Sequence, residues 1–591
     1  MASVGASTPW LMRVIPALAT LRTYSVKDAR SDLVAGATVA TVAVPQAIAY
    51  AMVAGVPPEH GLYTAIVMTA VGAVLDSSRQ LINGPTNAIS IAILSALALV
   101  PPERHLEAAI LMALLIGAFQ LVISLLRLGD LSRYISHSVI IGFTVGASAL
   151  LVLDQLKNLF GFTAKGDPHD HFILRFAETM MHGGPVHMMT LQVGAATIAL
   201  LLALRGLKRL IGTPLLPDLL LTVLIMAGVT SHYGLDAHGV RIVGEIPARL
   251  PSFALPAVDW VLVRELSTSA LAIGLLGLLE AISMAKAIAQ QTKQKLDMNQ
   301  QCFAEACANL SASMFQAIPG SGSLTRSAIN QQAGGSTQWA GVVSAVCVAG
   351  IVVAFGPLAR TIPKATLAGI LIVASYRMVD WKGLAFHVRT TRMDAIIVAA
   401  TALSAVLVSI EFCVIIGVVM SMLLAVQRAG RMLFTEFIVA SDGVIHDRHP
   451  GEATDPKMLM FGLEGELFFG SATDLEEHLE AIEARLNGEV SVVVLRAKRV
   501  RNPDAVSVHM LGEFVERCRH RGVRVLLCGV RAELAEAVGR ARLTDALAPL
   551  FLEGTTRNSS TLAAVRYAHE LIDGDLGAPP STRPPLVAVA G

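Results

Sequence analysis

Residues 318–337 read IPGSGSLTRSAINQQAGGST, a small-residue, polar stretch with one fixed positive charge, Arg326, set between two long apolar segments. In a soluble protein this would be an ordinary surface loop. Within membrane-class sequence, non-helical backbone is tolerated only where it lines a cavity or is buried in protein. The Pro-Gly-Ser-Gly lead-in followed by Ser-Leu-Thr-Arg-Ser suits the start of a short helix, whose free N–H groups attract anions.

The surroundings are membrane-class by composition. The 591 residues are 54% hydrophobic and 15% charged, against about 25% charged in ordinary soluble domains. Charges are sparse from Leu33 to about Val426 and return to soluble density from Arg428 onward. A net charge of +1 offers no footprint for a nucleic-acid partner, and none is expected. Cys302, Cys307, Cys347, Cys413, Cys518 and Cys528 have no metal-ligand or secreted-scaffold spacing. Cys302 and Cys307, flanking Glu305, read as helix-packing residues, and Cys518 and Cys528 as free thiols of a cytosolic domain.

Apolar segments of spanning length, about 20 residues, fall at 33–54, 60–76, 106–126, 135–153, 190–204, 215–231, 266–286, 301–317, 338–356, 362–376, 394–410 and 412–426. Two shorter pieces, 87–100 after INGPT and 324–333 after IPGSGS, count as half-helices and bring the total to fourteen. An even count puts both termini on one side. Arg127 and Arg133, then Arg205, Lys208 and Arg209, then Lys286, Lys293 and Lys295, then Arg377, Lys382, Arg389 and Arg392 fall in alternate loops, which marks that side as cytoplasmic. Residues 1–32, ahead of the first span, read as a cytoplasmic segment with interfacial amphipathic character. Gly/Pro-interrupted short segments at matching places in two halves mark a transporter of inverted repeats, with substrate held between discontinuous helices. The breaks belong to the third and tenth segments, so the chain reads as seven plus seven.

Four features carry chemistry. Arg326, within the first turn of its half-helix, would join the helix N-terminus and the hydroxyls of Ser323 and Thr325 around one anion; the alternative is an arginine that snorkels to headgroups. Glu280, in LLGLLEAISMA, is a coupling site that takes and releases a proton, or else a neutral helix–helix hydrogen-bonding group. Pro45 frees a carbonyl in its span and Gln46 offers an amide to a cavity, or the kink is satisfied by a neighbouring helix. Thr86 and Asn87 begin the other half-helix and would face the tenth segment across the cavity. Histidines 169, 171, 182 and 187 lie in an outside loop and read as solvated rather than as a metal site.

From Lys457 the pattern alternates strands and amphipathic helices, the mark of a small α/β domain. MLMFGLEGELFFGSA reads as a strand pair, DLEEHLEAIEARL as a helix, VSVVVLRA as a buried strand, SVHMLGEFVERCRHRG as a helix, VRVLLCGV as a strand and AELAEAVGRARL as a third helix. No Walker-type phosphate loop occurs, so ATP-driven transport has no support. The terminal PPSTRPPLVAVAG reads as disordered.

AVPQAIAYAMVAGVPPEHGLY, INGPTNA and FQAIPGSGSLTRSAINQQAGGSTQ, in this order, resemble the first-, third- and tenth-span motifs of the SulP anion permease family. The resemblance runs nearly the whole length. It implies an α-helical polytopic membrane protein with a 7+7 inverted-repeat fold of fourteen segments, whose core moves against a gate, followed by a cytoplasmic α/β STAS domain. The corresponding divisions are 1–32 N-terminal segment, 33–430 transporter domain, 431–456 linker, 457–573 STAS domain and 574–591 tail. It further implies an anion cradled by Gln46, Thr86, Asn87, Ser323, Leu324, Thr325 and Arg326, and Glu280 where some members carry a proton-coupling glutamate. Protons are favoured over sodium. Sulfate is the first substrate expected, with bicarbonate, C4-dicarboxylates, or uncoupled chloride or nitrate movement as alternatives. A homodimer in the lipid bilayer of the cell membrane is expected, with the STAS domain open to a cytoplasmic protein partner; no enzyme activity, cofactor or metal is implied. The phosphorylatable Asp-Ser-Ser-Gly loop of some STAS relatives appears as Asp504-Ala505-Val506-Ser507, so that switch is not expected here.

Overall fold

A computed structural model of the chain describes residues 14–129, 136–166, 170–212, 217–440, 444–547, 549–554 and 559–574. The readings placed on Arg133, on His169, on residues 1–13 and on the tail beyond Gly574 lie outside these residues. Two compact units divide the chain, Met1–Ser421 and Met422–Gly591.

In the first unit all fourteen expected segments are helical. They are α1 (Val26–Val53), α2 (Pro58–Leu75), α3 (Asn87–Ala96), α4 (His105–Leu125), α5 (His137–Phe160), α6 (Met188–Ile211), α7 (Asp218–Tyr233), α8 (Trp260–Thr292), α9 (Met298–Met314), α10 (Leu324–Gln332), α11 (Trp339–Phe355), α12 (Lys364–Met378), α13 (Arg392–Leu407) and α14 (Ile410–Ala429), the last running past the unit boundary. Six of the described helices are long and apolar enough to cross a membrane. Local chemistry sets their starts. Ser25 and Asp28 form a reciprocal capping box at α1, while Asp259 and Asp297 accept backbone N–H bonds at the starts of α8 and α9. α8 outruns its expected 266–286 at both ends, because Arg264, Glu265 and the polar residues after Met284 sit on terminal turns rather than in loops.

Helices from the two halves interleave. α1, α2 and α4 pack on α8, α9 and α11, whereas α5 and α6 pack on α12 and α5 on α13. Between apolar helices in lipid, close backbone approach supplies the attraction that burial supplies in water. Gly142 and Gly146 on α5 serve this role. A Cβ at Gly142 would come 2.6 Å from the Val398 carbonyl oxygen of α13, and one at Gly146 would come 2.5 Å from Ala405 Cβ.

Short helices occupy two of the loops, Phe172–His182 and Trp381–Thr390. In the loop before α6, His171 and His187 each cap a helix, accepting from Ile173 N and Thr190 N at 3.3 Å, and His171 Nε2 also lies 3.1 Å from Val408 O.

The second unit is built on a six-stranded sheet in the order β4-β3-β5-β6-β7-β8. Its strands are β3 (Leu433–Val439), β4 (Ile445–Asp447), β5 (Met458–Glu466), β6 (Val492–Arg501), β7 (Arg524–Val530) and β8 (Phe551–Leu552), β1 and β2 being the short pair described below. β5 to β8 run parallel, and β3 is antiparallel to both β4 and β5. Side chains alternate between two apolar faces. Leu459, Phe461, Val493, Leu495, Val525 and Leu527 pack under α15 (Ala472–Glu483), α16 (Ala505–His520) and α17 (Ala532–Arg540). Met458, Met460, Val494 and Leu526 face α18 (Ser559–Asp573), a helix not foreseen from the sequence.

Two expectations are corrected here. Residues 431–456 are not a plain linker, since they supply β3 and β4. MLMFGLEGELFFGSA is one strand, not a pair, and its antiparallel partner is β3. Glu436 within β3 is held by Arg485 at 2.8 Å and Arg448 at 2.9 Å. Burial opposes its charge, but these two guanidinium groups outweigh it and keep the carboxyl below the usual range. Burial pushes the Cys518 and Cys528 thiols up to about 11, so both are packing groups rather than nucleophiles.

Candidate functional site

The two sequence breaks meet. β1 (Asn83–Gly84) pairs antiparallel with β2 (Ser321–Gly322), in register Asn83 with Gly322 and Gly84 with Ser321. Each strand feeds directly into a half-helix, α3 or α10, so the two helix N-termini are fixed side by side. Neighbouring helices satisfy the extended backbone, as a medium without water demands. Thr69 Oγ1 donates to Asn83 O at 2.6 Å, and Ser321 Oγ to Gly277 O at 2.8 Å. The Asn309 side chain brackets Gly320, accepting from its N–H at 3.2 Å and donating to its carbonyl at 3.3 Å. Further bonds tie strand to opposite helix: Ser323 N to Ile82 O at 2.9 Å, and Ile82 N to Ser327 Oγ at 2.8 Å.

Gly320 has no room for a side chain, because a Cβ would enter the Gly84 carbonyl. Gly84, at φ 146°, lies under the Arg326 guanidinium, and a Cβ there would stand 3.0 Å from Nη2.

Thr86 caps α3 and Ser323 caps α10, each hydroxyl accepting from the backbone N–H three residues on. The Thr86 hydroxyl proton points the other way, to Glu280 Oε2 of α8 at 3.1 Å. A cavity opens in front of these caps, enclosing about 730 Å³ with the space at its mouth. Thr86, Asn87, Ser323, Leu324, Thr325 and Glu280 line it. Its opposite wall comes from the other bundle, with Val139, Phe143 and Thr144 on α5, Met378 on α12 and Val414 on α14. Leu324 is 39% exposed, and its place in the first turn of α10 leaves the helix N-terminus open to the cavity. Asn87 Oδ1 is buried without a partner among the described residues, while Asn87 Nδ2 donates to Met378 Sδ at 3.6 Å.

Arg326 and Gln46 are placed differently from the other six candidates. Neither is among the lining residues, and both are buried, at 1% and 2% exposure. The three guanidinium nitrogens have no hydrogen-bond partner among the described residues. The group interacts electrostatically with Glu280 and Tyr50, so its field reaches the cavity floor. Besides the wall residues of α5, α12 and α14, the sequence reading missed Tyr50, a lining residue on α1. It lies one turn beyond Gln46 on α1, a position that by itself does not separate it from a packing residue. Chemically, the site offers two helix N-termini, the hydroxyls of Tyr50, Thr86, Thr144, Ser323 and Thr325 and a buried cation to one small anion, with a carboxylic acid or carboxylate at its edge.

In the second unit Asp504 caps α16, accepting from Ser507 N at 2.9 Å, and Ser507 is fully buried in the first turn.

The model of the sulfate permease family matches residues 30–401, and that of the STAS domain matches residues 451–556. A protein described as probable sulfate transporter 4.2 of Arabidopsis thaliana is 28% identical over 561 residues, spanning 91% of this chain and 81% of its own. The putative sulfate transporter YvdB of Bacillus subtilis (strain 168) is 30% identical over 529 residues, spanning 88% and 95%. Among solved structures, the murine Slc26a9 anion transporter in its inward-facing state superposes with a TM-score of 0.84 at 19% identity, over 96% of each chain. The transmembrane domain of the cyanobacterial bicarbonate transporter BicA superposes with a TM-score of 0.58 at 22% identity, over 68% of this chain and 98% of that one.

Proposed function

Because the chain belongs to the sulfate permease family, we propose that it moves an inorganic oxyanion, sulfate first, across the cell membrane by proton-coupled alternating access. The observation that carries this reading is the Thr86–Glu280 hydrogen bond, which ties a titratable group to the cap of one anion-facing helix. When Glu280 gives up its proton, the new negative charge lies beside the anion site and opposes anion binding. When it is protonated, the cavity keeps only the attraction of the helix ends and Arg326. Binding of the anion and of the proton thereby favour each other. The energetic need is concrete: a divalent anion entering a compartment 100 mV negative climbs about 4.6 kcal/mol, which accompanying protons offset.

Names of the relatives support sulfate, and the cavity wall supplied by α5, α12 and α14 supports movement of one bundle against the other. On this reading both termini and the STAS domain are cytoplasmic, the protein works as a homodimer, and the STAS domain offers a face to a cytoplasmic partner. Bicarbonate is the second reading, because one structural neighbour is described as its transporter.

Liposome uptake of labelled sulfate, bicarbonate, succinate and chloride under proton or sodium gradients tests the assignment. Sulfate should accumulate under an inward proton gradient. Glu280→Gln should retain sulfate binding and lose gradient-driven accumulation. Full coupling in that variant would sink the role given to Glu280, and chloride or bicarbonate accumulation without sulfate would sink the substrate.

A further inference from the structure

Next to β1, and outside the cavity lining, two carboxyl groups are buried. Asp76, the residue that ends α2, is fully buried. It accepts from Gln301 Nε2 of α9 at 2.5 Å and from Asn83 Nδ2 of β1 at 3.2 Å. Glu305 stands one turn beyond Gln301 on α9, on the same helix face. It too is fully buried, and neither of its carboxyl oxygens has a partner among the described residues. The two carboxyl groups are close enough to interact electrostatically.

Asn83 Oδ1, an acceptor, is likewise buried without a partner among the described residues, as is the Ser78 hydroxyl, and Ser78 N donates to Gln301 Oε1 at 3.4 Å. No ion pair with Asp76 or Glu305 occurs among the described residues. The other titratable groups facing Glu305 are Glu280 from α8 and Cys302 on α9 itself. Neither brings positive charge. Arg326 on α10 engages Glu280 and Tyr50, and Arg79, next to Ser78, is exposed. Two like charges shut away from water and from any cation cannot both persist; sharing one proton resolves the conflict.

We propose that Asp76 and Glu305, both buried around Gln301, form a second proton-binding site, distinct from Glu280, at which the pair of carboxyl groups holds one proton. The proton comes from water and returns to it, and supplies the donor that the Glu305 oxygens lack. The site touches both supports of the anion cradle. Asn83, which donates to Asp76, belongs to β1, and Asn309, one turn beyond Glu305, brackets Gly320 ahead of β2. Loss of the proton leaves two adjacent anions pressing on both supports, so its occupancy tunes the spacing of the helix N-termini.

Infrared spectroscopy of the purified full-length protein resolves protonated carboxylic acids by their carbonyl band. At neutral pH the Asp76→Asn/Glu305→Gln double variant should lose the band of one protonated carboxyl relative to wild type. Glu280→Gln should leave that component in place. Glu305→Gln alone, whose amide matches a protonated acid in shape, should melt at or above the wild-type temperature and gives the same spectral reading if the double variant does not fold. An unchanged carbonyl band in both Glu305 variants overturns the proposal. So does a wild-type melting temperature that rises in sodium chloride over choline chloride and loses that rise in the variants, which would make the pair a cation site.

Discussion

Gly320→Ala is the sharpest probe of the cradle. A Cβ there would stand 2.7 Å from the Gly84 carbonyl carbon and 2.8 Å from Met68 Sδ, with the Gly84 oxygen nearer still. The thioether can swing aside. The carbonyl cannot, because Gly84 is paired with Ser321 across the strand junction. Ordinary contact begins at 3.4 Å, so the Gly84 carbonyl carbon must retreat by 0.7 Å (3.4 − 2.7) and its oxygen by more. Misplacements of about 1 Å cost positioned groups about 100-fold. Sulfate binding should therefore weaken by about 10- to 100-fold, or ~1.4–2.7 kcal/mol, with overpacking removing about 1–3 kcal/mol of stability. Gly350→Ala on α11 is the matched control, since a Cβ there meets nothing within 4 Å; in a helix interior it should gain up to about 1 kcal/mol. Equilibrium binding of labelled sulfate and thermal melting of the purified protein read both effects. A Gly320→Ala dissociation constant within about twofold of wild type, with melting like that of Gly350→Ala, would refute the reasoning.

Three further outcomes are expected. Arg326→Ala should weaken sulfate binding by more than about tenfold in the same assay; an unchanged constant would strip Arg326 of its role at the anion site. Thr86→Val removes a helix cap worth about 1 kcal/mol together with the donor to Glu280, whereas Thr86→Ser keeps both, so proton-driven uptake should survive only in the serine variant. Equal uptake by the two would count against the Thr86–Glu280 link. Glu436, held below the usual carboxylate range by Arg485 and Arg448, stabilises the second unit above its unfolded titration point, and that stability drains away as pH falls through the folded one. Glu436→Gln should lower the calorimetric transition of that unit by about 1–2 kcal/mol at neutral pH and flatten its acid limb; an acid limb identical to wild type would contradict the assignment.

What could be read from sequence was whatever breaks a membrane rule locally. The Gly/Pro interruptions at 84–87 and 319–323 and the lone carboxyl of Glu280 announce themselves, since apolar helices have no other reason to contain them. Tyr50 did not, because one aromatic ring in an apolar helix is indistinguishable from packing. Asp76 and Glu305 each sit near a segment end, where charge is unremarkable, and only the fold buries them against each other. β3 was hidden by Glu436, whose partners Arg448 and Arg485 come from elsewhere in the chain. Gly462 lies inside β5 without breaking it. The Phe437 ring of β3 lies where its side chain would go.

The pairing of β1 with β2 also constrains how the protein is made. Gly84 enters the membrane long before Ser321 has been synthesised, and until then the strand has no cross-strand partner in a medium that offers no substitute. α3, with ten residues, is too short to span by itself. The first half of the chain must therefore wait with this segment sheltered at the translocation machinery or against its own helices. The β1–β2 junction is a late product of biogenesis, completed only when the tenth segment arrives.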